Sequence, residues 1–242
     1  MRVALIADIH GNLAALEAVL ADFARDSPDQ IVCLGDVAAT GPQPREVLRR
    51  LRALGGPVIQ GNTDAFLLGR QSSPDDDETT RRFDEIDRWC AAQLAPEDLD
   101  YLRTFRPTVE LPLEDGARLL CYHGSPRNYD DVISATTPEP ELAQVLGGAR
   151  ATVMAGGHWH FQMLRRYEDV ILLNPGSVGL AYDTRPDGAR RHPPRAEYAL
   201  LAAEGGRLSI DLRRVPYDRE ATLREIFARG LPHAEWWTKG WR

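Results

Sequence analysis

Polar residues that can bind metal ions follow several short apolar runs of this chain. In an α/β protein, strand ends lie together at one edge of the sheet, so side chains that follow such runs can converge on one site. Carboxylate and imidazole groups together suit a pair of divalent metals. The pattern therefore predicts an α/β fold with a metal site built from several strand ends. The motifs are Asp8-Ile9-His10, Gly35-Asp36, Gly61-Asn62, Tyr122-His123-Gly124 and Gly157-His158-Trp159-His160.

The first sixty residues alternate between strand-like and helix-like patterns. Apolar runs at residues 3–7, 31–34 and 58–59 predict buried strands. Apolar residues at helical spacing predict helices at residues 13–23 and 42–54. Strands that alternate with helices in this way favour parallel pairing through right-handed crossovers.

The remainder of the chain has a different pattern. A polar, acidic stretch at residues 71–78 predicts a mobile surface loop. Helices follow it, and short apolar runs then predict paired strands and a final hairpin. Together these elements predict an α/β protein with an antiparallel portion. The predicted helices cover residues 79–94, 96–105 and 219–228, and the predicted strands cover residues 108–113, 118–122, 152–155, 162–167, 170–173, 198–202 and 207–215.

Composition limits the classes of protein to which the chain can belong. Its 242 residues, 43% of them hydrophobic, are enough for one sizeable domain over residues 1–242. The net charge of −7 argues against a general nucleic-acid-binding surface. The three cysteines lack a disulfide or metal-binding spacing, and no apolar run reaches transmembrane length. We therefore expect a cytoplasmic protein with no membrane partner.

Spacing within two motifs places pairs of side chains together. One residue separates Asp8 from His10, and one separates His158 from His160. Residues i and i+2 of an extended strand point to the same face, so each pair is expected to reach a common cation. Asp36 has two carboxylate oxygens that can bridge two metals, although an aspartate that caps a turn would have the same pattern.

Asn62 and His123 are weaker signals when each is taken alone. Gly-Asn is an ordinary turn sequence, and a lone histidine after a strand is usually structural. The order of the five motifs is more specific. It resembles the calcineurin-like metallophosphoesterase superfamily, and in particular its small YfcE-like phosphodiesterases, from Met1 to about Val178. Residues 174–178, with the sequence Asn-Pro-Gly-Ser-Val, add to this resemblance.

The resemblance implies a fold and a cofactor. The implied fold is a four-layer αββα sandwich of two mixed β-sheets flanked by helices. The implied cofactor is two divalent ions bridged by Asp36. Manganese is expected, and iron, zinc, nickel and cobalt accept the same nitrogen and oxygen ligands. One ion would also bind Asp8, His10 and His160, and the other would also bind Asn62, His123 and His158.

The resemblance also implies a reaction. A metal-bridging hydroxide would hydrolyse a P–O bond, with Asp36, Asn62 and His123 as catalytic residues. A phosphodiesterase acting on a small phosphodiester or nucleotide-like substrate is the first expectation. A nucleotide or dinucleoside polyphosphate hydrolase is an alternative enzyme, and a non-catalytic protein-binding scaffold is an alternative of another class. Arg127 and Arg185, among several loop arginines, are expected to bind phosphate.

Two departures from the family pattern bear on the substrate. Many relatives have a histidine after Gly-Asn that can protonate the leaving group, whereas Thr63 follows Asn62 here. YfcE-like enzymes also lack that histidine. Thr63 is instead expected to cap a helix that starts near Asp64. The residues after Asp36 lack the Arg-Gly of protein serine/threonine phosphatases, so a phosphoprotein substrate is not expected.

A tryptophan-rich tail occupies about residues 230–242. So much apolar surface would not be left in water, so we expect the tail to pack against its own domain or against a second subunit of a homo-oligomer. The remaining histidines, His192 and His233, match no motif and are expected to be solvated. The tail tryptophans are Trp236, Trp237 and Trp241.

Overall fold

Two mixed β-sheets form the centre of the computed structural model, which describes residues 1–69, 77–186, 188 and 190–241. A separate two-stranded hairpin lies later in the chain. The strands are β1 (Arg2–Ile6), β2 (Gln30–Cys33), β3 (Val109–Pro112), β4 (Arg118–Cys121), β5 (Val153–Ala155), β6 (Gln162–Tyr167), β7 (Val170–Pro175), β8 (Asp183–Thr184), β9 (Arg190–Arg191), β10 (Arg195–Glu204) and β11 (Arg207–Pro216).

Helices connect and cover these strands. Asn12 caps the first helix, because its side chain accepts a hydrogen bond from the Ala15 N–H at 3.2 Å. Pro44 and Pro96 each open a helix, where a missing N–H costs nothing. The helices are α1 (Leu13–Phe23), α2 (Pro44–Leu54), α3 (Asn62–Leu67), α4 (Glu78–Ala92), α5 (Pro96–Leu102), α6 (Glu139–Leu146), α7 (Arg219–Ala228) and α8 (Ala234–Trp237), and Thr238–Trp241 forms a 3₁₀ turn.

Both sheets combine parallel and antiparallel strands. The first has the order β11-β10-β1-β2, in which β1 pairs parallel with β2 and antiparallel with β10. The second has the order β3-β4-β5-β7-β6, in which β4, β5 and β7 are parallel and the edge strands β3 and β6 are antiparallel. Each sheet therefore has parallel strands that end at one common edge.

Alternation along β1 shows how the layers stack. Val3 and Leu5 lie in the apolar core between the two sheets, together with Leu119 of β4. Ala4 and Ile6 face the other way, into the core formed with α1 and α2. On the far side, α6 packs against the outer face of the second sheet. The predicted α/β sandwich of two mixed sheets flanked by helices is confirmed.

Several parts of the chain differ from their predicted structure, among them the β8–β9 hairpin, which was not predicted. Val58 and Ile59 form only isolated bridges instead of a strand, next to Pro57, which has no N–H to donate. Helix α6 was not predicted, because eight residues with a proline in the first turn show little helical periodicity. Asp77 caps α4 and Glu78 begins it. The other residues of the predicted acidic loop lie outside the described residues.

The tryptophan tail packs against its own chain. Phe83 of α4 meets Trp236 and Trp237 edge to face, with ring centroids 5.3 and 5.2 Å apart. On the other side, the His192 ring lies 5.6 Å from the Trp241 ring, and the His192 N–H donates to Gly240 O at 2.7 Å. Contrary to the expectation of a solvated side chain, His192 is thus held between the tail and the domain.

Two further features bear on the expected class of protein. The thiols of Cys33, Cys90 and Cys121 are free and buried, as expected of cysteines that pack as small apolar residues. Within the described residues, no helix combines the length and apolarity that crossing a bilayer requires.

Candidate metal centre

The strand-end motifs converge between the two sheets. The ends of β1 and β2 supply ligand residues from the first sheet, and the ends of β4 and β5 supply them from the second. The residue that opens α3 completes the set. The residues brought together are Asp8, His10, Asp36, Asn62, His123, His158 and His160.

One group of possible ligands consists of Asp8, His10 and His160, whose donor atoms all lie within 4.8 Å of one another. The two imidazole Nε2 atoms are 3.2 Å apart. The Nε2 of His160 is also 3.2 Å from Asp8 Oδ1. Asp8 and His10 are buried, and His160 is half-buried.

The second group consists of Asp36, His123 and His158. The Asn62 side chain adds a neutral oxygen, with its Oδ1 3.1 Å from His123 Nε2. Asp36 Oδ2 is 3.5 Å from His123 Nε2 and 3.8 Å from His10 Nε2, a histidine of the first group. Asp36 therefore lies between the two groups, where a bridging ligand would have to be.

Backbone carbonyl groups orient three of the histidines. If each Nδ1–H donates to its carbonyl oxygen, each Nε2 keeps a lone pair that faces the site. The lone pairs of His10 and His160 then oppose each other at 3.2 Å, which is stable only with a proton or a cation between them. This donor set fits divalent ions. The Nδ1 pairs are His10 with Ala39 O (3.2 Å), His123 with Leu34 O (2.7 Å) and His160 with Leu180 O (3.0 Å).

The backbone at these residues is not extended, contrary to the prediction. Asp8 and His10 have φ values of 55° and 47°, and His158 and His160 have values of 65° and 59°. Strand β1 ends at Ile6, before the first pair. Left-handed residues other than glycine cost on the order of 1–3 kcal/mol each and cluster at functional sites. The pairs converge through left-handed turns, and the two-residue strand period does not apply to them.

Asp64 is a supporting residue that the motifs did not reveal. Its buried carboxylate accepts hydrogen bonds from the N–H groups of Asp36 (2.8 Å), Val37 (2.9 Å) and Gly61 (2.9 Å). It thereby joins the Asp36 loop to the start of α3. The Thr63 hydroxyl has no partner among the described residues, so the predicted cap by Thr63 is wrong. Asp64, at the third helical position, has that role.

Glycine is required at position 61 because the backbone there lies very close to the Asp36 side chain. A Cβ atom at this position would overlap Asp36 Oδ1, so a larger residue would displace the carboxylate. Two residues further on, the N–H of Thr63 donates to the same oxygen at 3.0 Å. This bond leaves Asp36 Oδ2 on the side of the histidines. The Gly-Asn motif is therefore part of the site and more than an ordinary turn.

The buried ionisable groups shift one another's pKa. Burial disfavours the imidazolium form of His10 and, with the nearby His160, lowers its pKa to about 4. Burial acts the same way on His123, but the Asp36 carboxylate outweighs it and raises the pKa of His123 to about 10. Burial also works against the Asp36 carboxylate, whose pKa His123 nevertheless holds below its usual range. A proton on His123 is thus a competitor for any metal at the second group.

The arginines predicted to bind phosphate do not line the cavity at the ligands, as far as the described residues go. The Arg127 guanidinium donates to Gln144 O at 2.9 Å, and neither Arg127 nor Arg185 is among the described residues that line the cavity at the ligands. Their role as substrate contacts stays a prediction. Arg190 does line this cavity, with its guanidinium 4.5 Å from the centre of the Tyr182 ring.

A cavity of about 940 Å³ opens from the ligand groups. His10, Asp36 and Asn62 form part of its lining, and Thr63 lies beside them. Aromatic residues of α4 and of the tail, which the motifs did not predict as site residues, form another part. The site can therefore accept a substrate larger than a phosphate group.

Two facing mixed sheets with paired carboxylate and imidazole groups at their strand ends are the arrangement expected of metallophosphoesterases. Residues 1–205 match the calcineurin-like phosphoesterase superfamily domain, and the chain belongs to this superfamily. The resemblance inferred from the order of the motifs is confirmed.

Two relatives show how far the similarity in sequence extends. The chain is 26% identical to an uncharacterized protein of Methanocaldococcus jannaschii, over 97% of this chain and 94% of that protein. It is 31% identical to the symmetrical bis(5'-nucleosyl)-tetraphosphatase of Erwinia tasmaniensis, over 61% of this chain and 53% of that protein. The chain thus spans about half the length of this tetraphosphatase.

Similar solved structures include a metallophosphoesterase from Sphaerobacter thermophilus. It is 28% identical, with a TM-score of 0.77 over 99% of both chains. They also include Yfce, a phosphoesterase from E. coli, at 22% identity and a TM-score of 0.48 over 90% of this chain and 100% of that chain. Because the Sphaerobacter similarity covers nearly the whole chain, it includes the tail that lies beyond the matched superfamily domain.

Proposed function

We propose that the chain is a metal-dependent phosphodiesterase that hydrolyses a P–O bond in a small or nucleotide-like substrate. The observation that supports this most is the position of Asp36 between two groups of buried carboxylate and histidine ligands. Two divalent ions, manganese by preference, would supply the positive charge and the activated water that attack on phosphorus requires.

The ligand residues set the charge of the proposed site. Asp8 and Asp36 are the carboxylates of the two groups, and the other members are neutral imidazoles once the ions displace their protons. Two dications with two carboxylates leave a net positive charge that favours an anionic phosphodiester. Asn62 adds an oxygen ligand without further negative charge. His123, fixed by its hydrogen bond to Leu34 O, presents Nε2 in one direction only.

The first test measures metal content and turnover together. Purified protein should contain divalent metal and hydrolyse bis(p-nitrophenyl) phosphate, and added Mn²⁺ should raise the rate. A protein that binds no divalent ion and turns over no phosphoester would instead support the non-catalytic scaffold.

Position 63 makes a sharper test possible. No histidine follows Asn62 to protonate the departing oxygen, and a general acid typically contributes about 10²–10⁴-fold. Substrates with good leaving groups should therefore react faster than alkyl esters. We expect a steep dependence of kcat on leaving-group pKa across a series of aryl phosphodiesters, and a shallower one in Thr63→His.

A flat dependence in the wild type, where chemistry limits the rate, would mean that another acid is present. Asp87 would then be the residue to replace. It lines the same cavity, and burial raises its pKa to about 7 although the Thr40 hydroxyl, at 2.8 Å, lowers it. Asp87→Asn should restore a steep dependence in that case.

A dinucleoside polyphosphate hydrolase is a second candidate, because the tetraphosphatases are among the relatives. The test is to incubate the Mn²⁺-loaded protein with bis(5'-adenosyl) tetraphosphate and to separate the products. Two molecules of ADP at a rate above that of aryl diesters would favour this candidate. Slow hydrolysis would leave the phosphodiesterase proposal as the better one.

A further inference from the structure

The cavity beside the proposed metal centre is larger than a phosphate group requires. Its volume of about 940 Å³ lies in the range of pockets that enclose whole drug-sized ligands. The ligand residues account for only part of the lining. Helix α4, strand β9 and the tail also contribute to the lining, through residues that include Phe83, Arg190, Trp236 and Trp237.

Three rings form an aromatic wall, which we define as Phe83, Trp236 and Trp237. Phe83 packs edge to face on both tryptophans, at interplanar angles of 69° and 83°. Phe83 and Trp236 are half-buried and line the cavity, so part of their surface remains for a ligand. Neither water nor phosphate gains anything from an aromatic surface. A flat aromatic group does, through stacking.

Polar groups adjoin the aromatic wall. Asp84 and Asp87 follow Phe83 in α4 and line the same cavity. Carboxylates repel phosphate, so this part of the lining is unsuited to a second anion, but they accept hydrogen bonds from N–H groups. Trp237 is 7% exposed, and its indole N–H has no acceptor among the described residues. A buried donor without a partner is costly, and a ligand acceptor would satisfy it.

We propose that this part of the cavity binds the nucleobase of a nucleoside phosphoester, a substrate class that rests on the proposed phosphodiesterase function. The base stacks on the aromatic wall, its amino group donates to Asp84 or Asp87, and its ring nitrogen or carbonyl accepts from Trp237. Arg190 lines the same cavity and supplies a positive charge for a phosphate oxygen. A purely apolar aromatic substituent would use the rings, but it would leave the indole N–H without an acceptor and offer no donor to Asp84 or Asp87 beside their partners Arg88 and Thr40.

The test compares three esters that share one leaving group. They are the p-nitrophenyl esters of adenosine 5'-monophosphate, of methyl phosphate and of benzyl phosphate. The adenosine ester should exceed the methyl ester in kcat/KM by about 10–100-fold, the range that one stacked base typically gives. The benzyl ester should lie well below the adenosine ester. Equal values for the adenosine and methyl esters would overturn the proposal, and a benzyl ester as good as the adenosine ester would replace it with an apolar subsite.

Variants of the aromatic wall test the assignment of residues. Trp236→Ala and Phe83→Leu should bring the ratio between the adenosine and methyl esters close to unity. The ratio is independent of the fraction of active protein, so a partly unfolded variant remains informative. Phe227→Ala is the control, because Phe227 is 45% exposed on α7 and does not line this cavity. An unchanged ratio in both variants would contradict the proposed base position.

A binding measurement separates this inference from the proposed function. Calorimetry on the Mn²⁺-loaded protein should show adenosine 5'-monophosphate binding about 10–100-fold more tightly than ribose 5-phosphate, and Trp236→Ala should remove the difference. This comparison needs no turnover. If no ester is hydrolysed but the difference in affinity persists, the phosphodiesterase proposal fails and the nucleobase site stands. If esters are hydrolysed but the two affinities are equal, the nucleobase site fails alone.

Discussion

The ligand groups and the aromatic wall line one cavity but are built differently. At the ligand groups, polar atoms are fixed by hydrogen bonds to backbone, as His123 is by Leu34 O at 2.7 Å. At the aromatic wall, Phe83 and Trp236 meet through ring contacts that tolerate small displacements. Metal ligation needs atoms placed within a few tenths of an ångström, whereas stacking needs only a flat surface. Under the two proposals, the rigid part of the cavity would carry the chemistry and the aromatic wall would select the substrate.

The largest expected effect is at Asp36. Asp36→Asn should lose most of the bound metal, and kcat for bis(p-nitrophenyl) phosphate should fall by about 10³-fold or more, because metal catalysis supplies several kcal/mol and each 1.4 kcal/mol is a factor of ten. Metal analysis and steady-state kinetics measure both. Asp211→Asn, in an exposed ion pair on β11, is the matched control. Two ions per chain with near-normal turnover in Asp36→Asn would contradict the bridging role.

A substitution in the tail should lower the stability of the protein and leave metal binding unchanged. Trp241 is 2% exposed, and Trp241→Ala should lower the free energy of unfolding by about 3–5 kcal/mol, the usual cost of removing a buried tryptophan. Metal content should be unchanged. Phe227→Ala, on the exposed side of α7, should cost far less. Denaturant unfolding and metal analysis test this, and loss of metal in Trp241→Ala would show that tail and ligand groups depend on each other.

Metal removal should lower the stability of the protein through the ligand groups and not through the tail. Each ion present at about 100 times its Kd contributes about 2.7 kcal/mol, so two ions correspond to roughly 10–20 °C in Tm for a chain of this size. Chelation should lower Tm by that amount, and Mn²⁺ should restore it, because the ions relieve the facing Nε2 atoms of His10 and His160. His10→Ala should respond less to the chelator. Superimposable melting curves with and without chelator would exclude a preformed metal site.

The smallest expected effect is the release of a proton when metal binds. Asp36 raises the pKa of His123 to about 10, so at pH 8 the metal-depleted protein holds a proton there that a metal must displace. Calorimetry in buffers of different ionisation enthalpy should show release of about one proton from this group. His123→Gln should abolish that proton release. Release that is the same in wild type and variant would assign the proton elsewhere.

The raised pKa of His123 also determines how the stabilisation by metal changes with pH. The raised pKa stabilises the metal-depleted protein fully below about pH 6.5, the ordinary value for histidine, and this stabilisation is lost as pH rises through about 10. Metal also binds more tightly as the competing proton leaves. The gain in Tm on adding Mn²⁺ should therefore grow between pH 7 and pH 9. A gain that shrinks with pH would contradict the assignment.

The ligand positions were predictable because each follows an apolar run, and such runs are visible in one sequence. Their backbone conformation was not. The strand period says which face a residue takes, but it does not say that β1 ends at Ile6 and that Asp8 turns left-handed. Asp64 was not predicted as a site residue, because the hydrogen bond that it accepts from Asp36 N joins residues 28 positions apart and leaves no local pattern in the sequence.

The aromatic wall could be predicted only in part. Three tryptophans near the end of the chain implied burial; Trp237 and Trp241 are buried, and Trp236 is half-buried against Phe83. Their partner Phe83 lies in a different helix far earlier in the sequence, and only the path of the chain brings it to Trp236. No periodicity encodes a contact of that range. Whether the tail also joins two subunits stays a prediction.

The position of β1 has a consequence for how the protein is made. One neighbour, β2, is synthesised soon after it, but the other, β10, comes only with residues 195–204. During translation, β1 therefore has an unpaired edge for most of the time that the chain takes to emerge, and such edges invite association with other chains. Contacts of such long range also form slowly. Expression at lower temperature or with chaperones that shield strand edges should therefore raise the yield of folded protein.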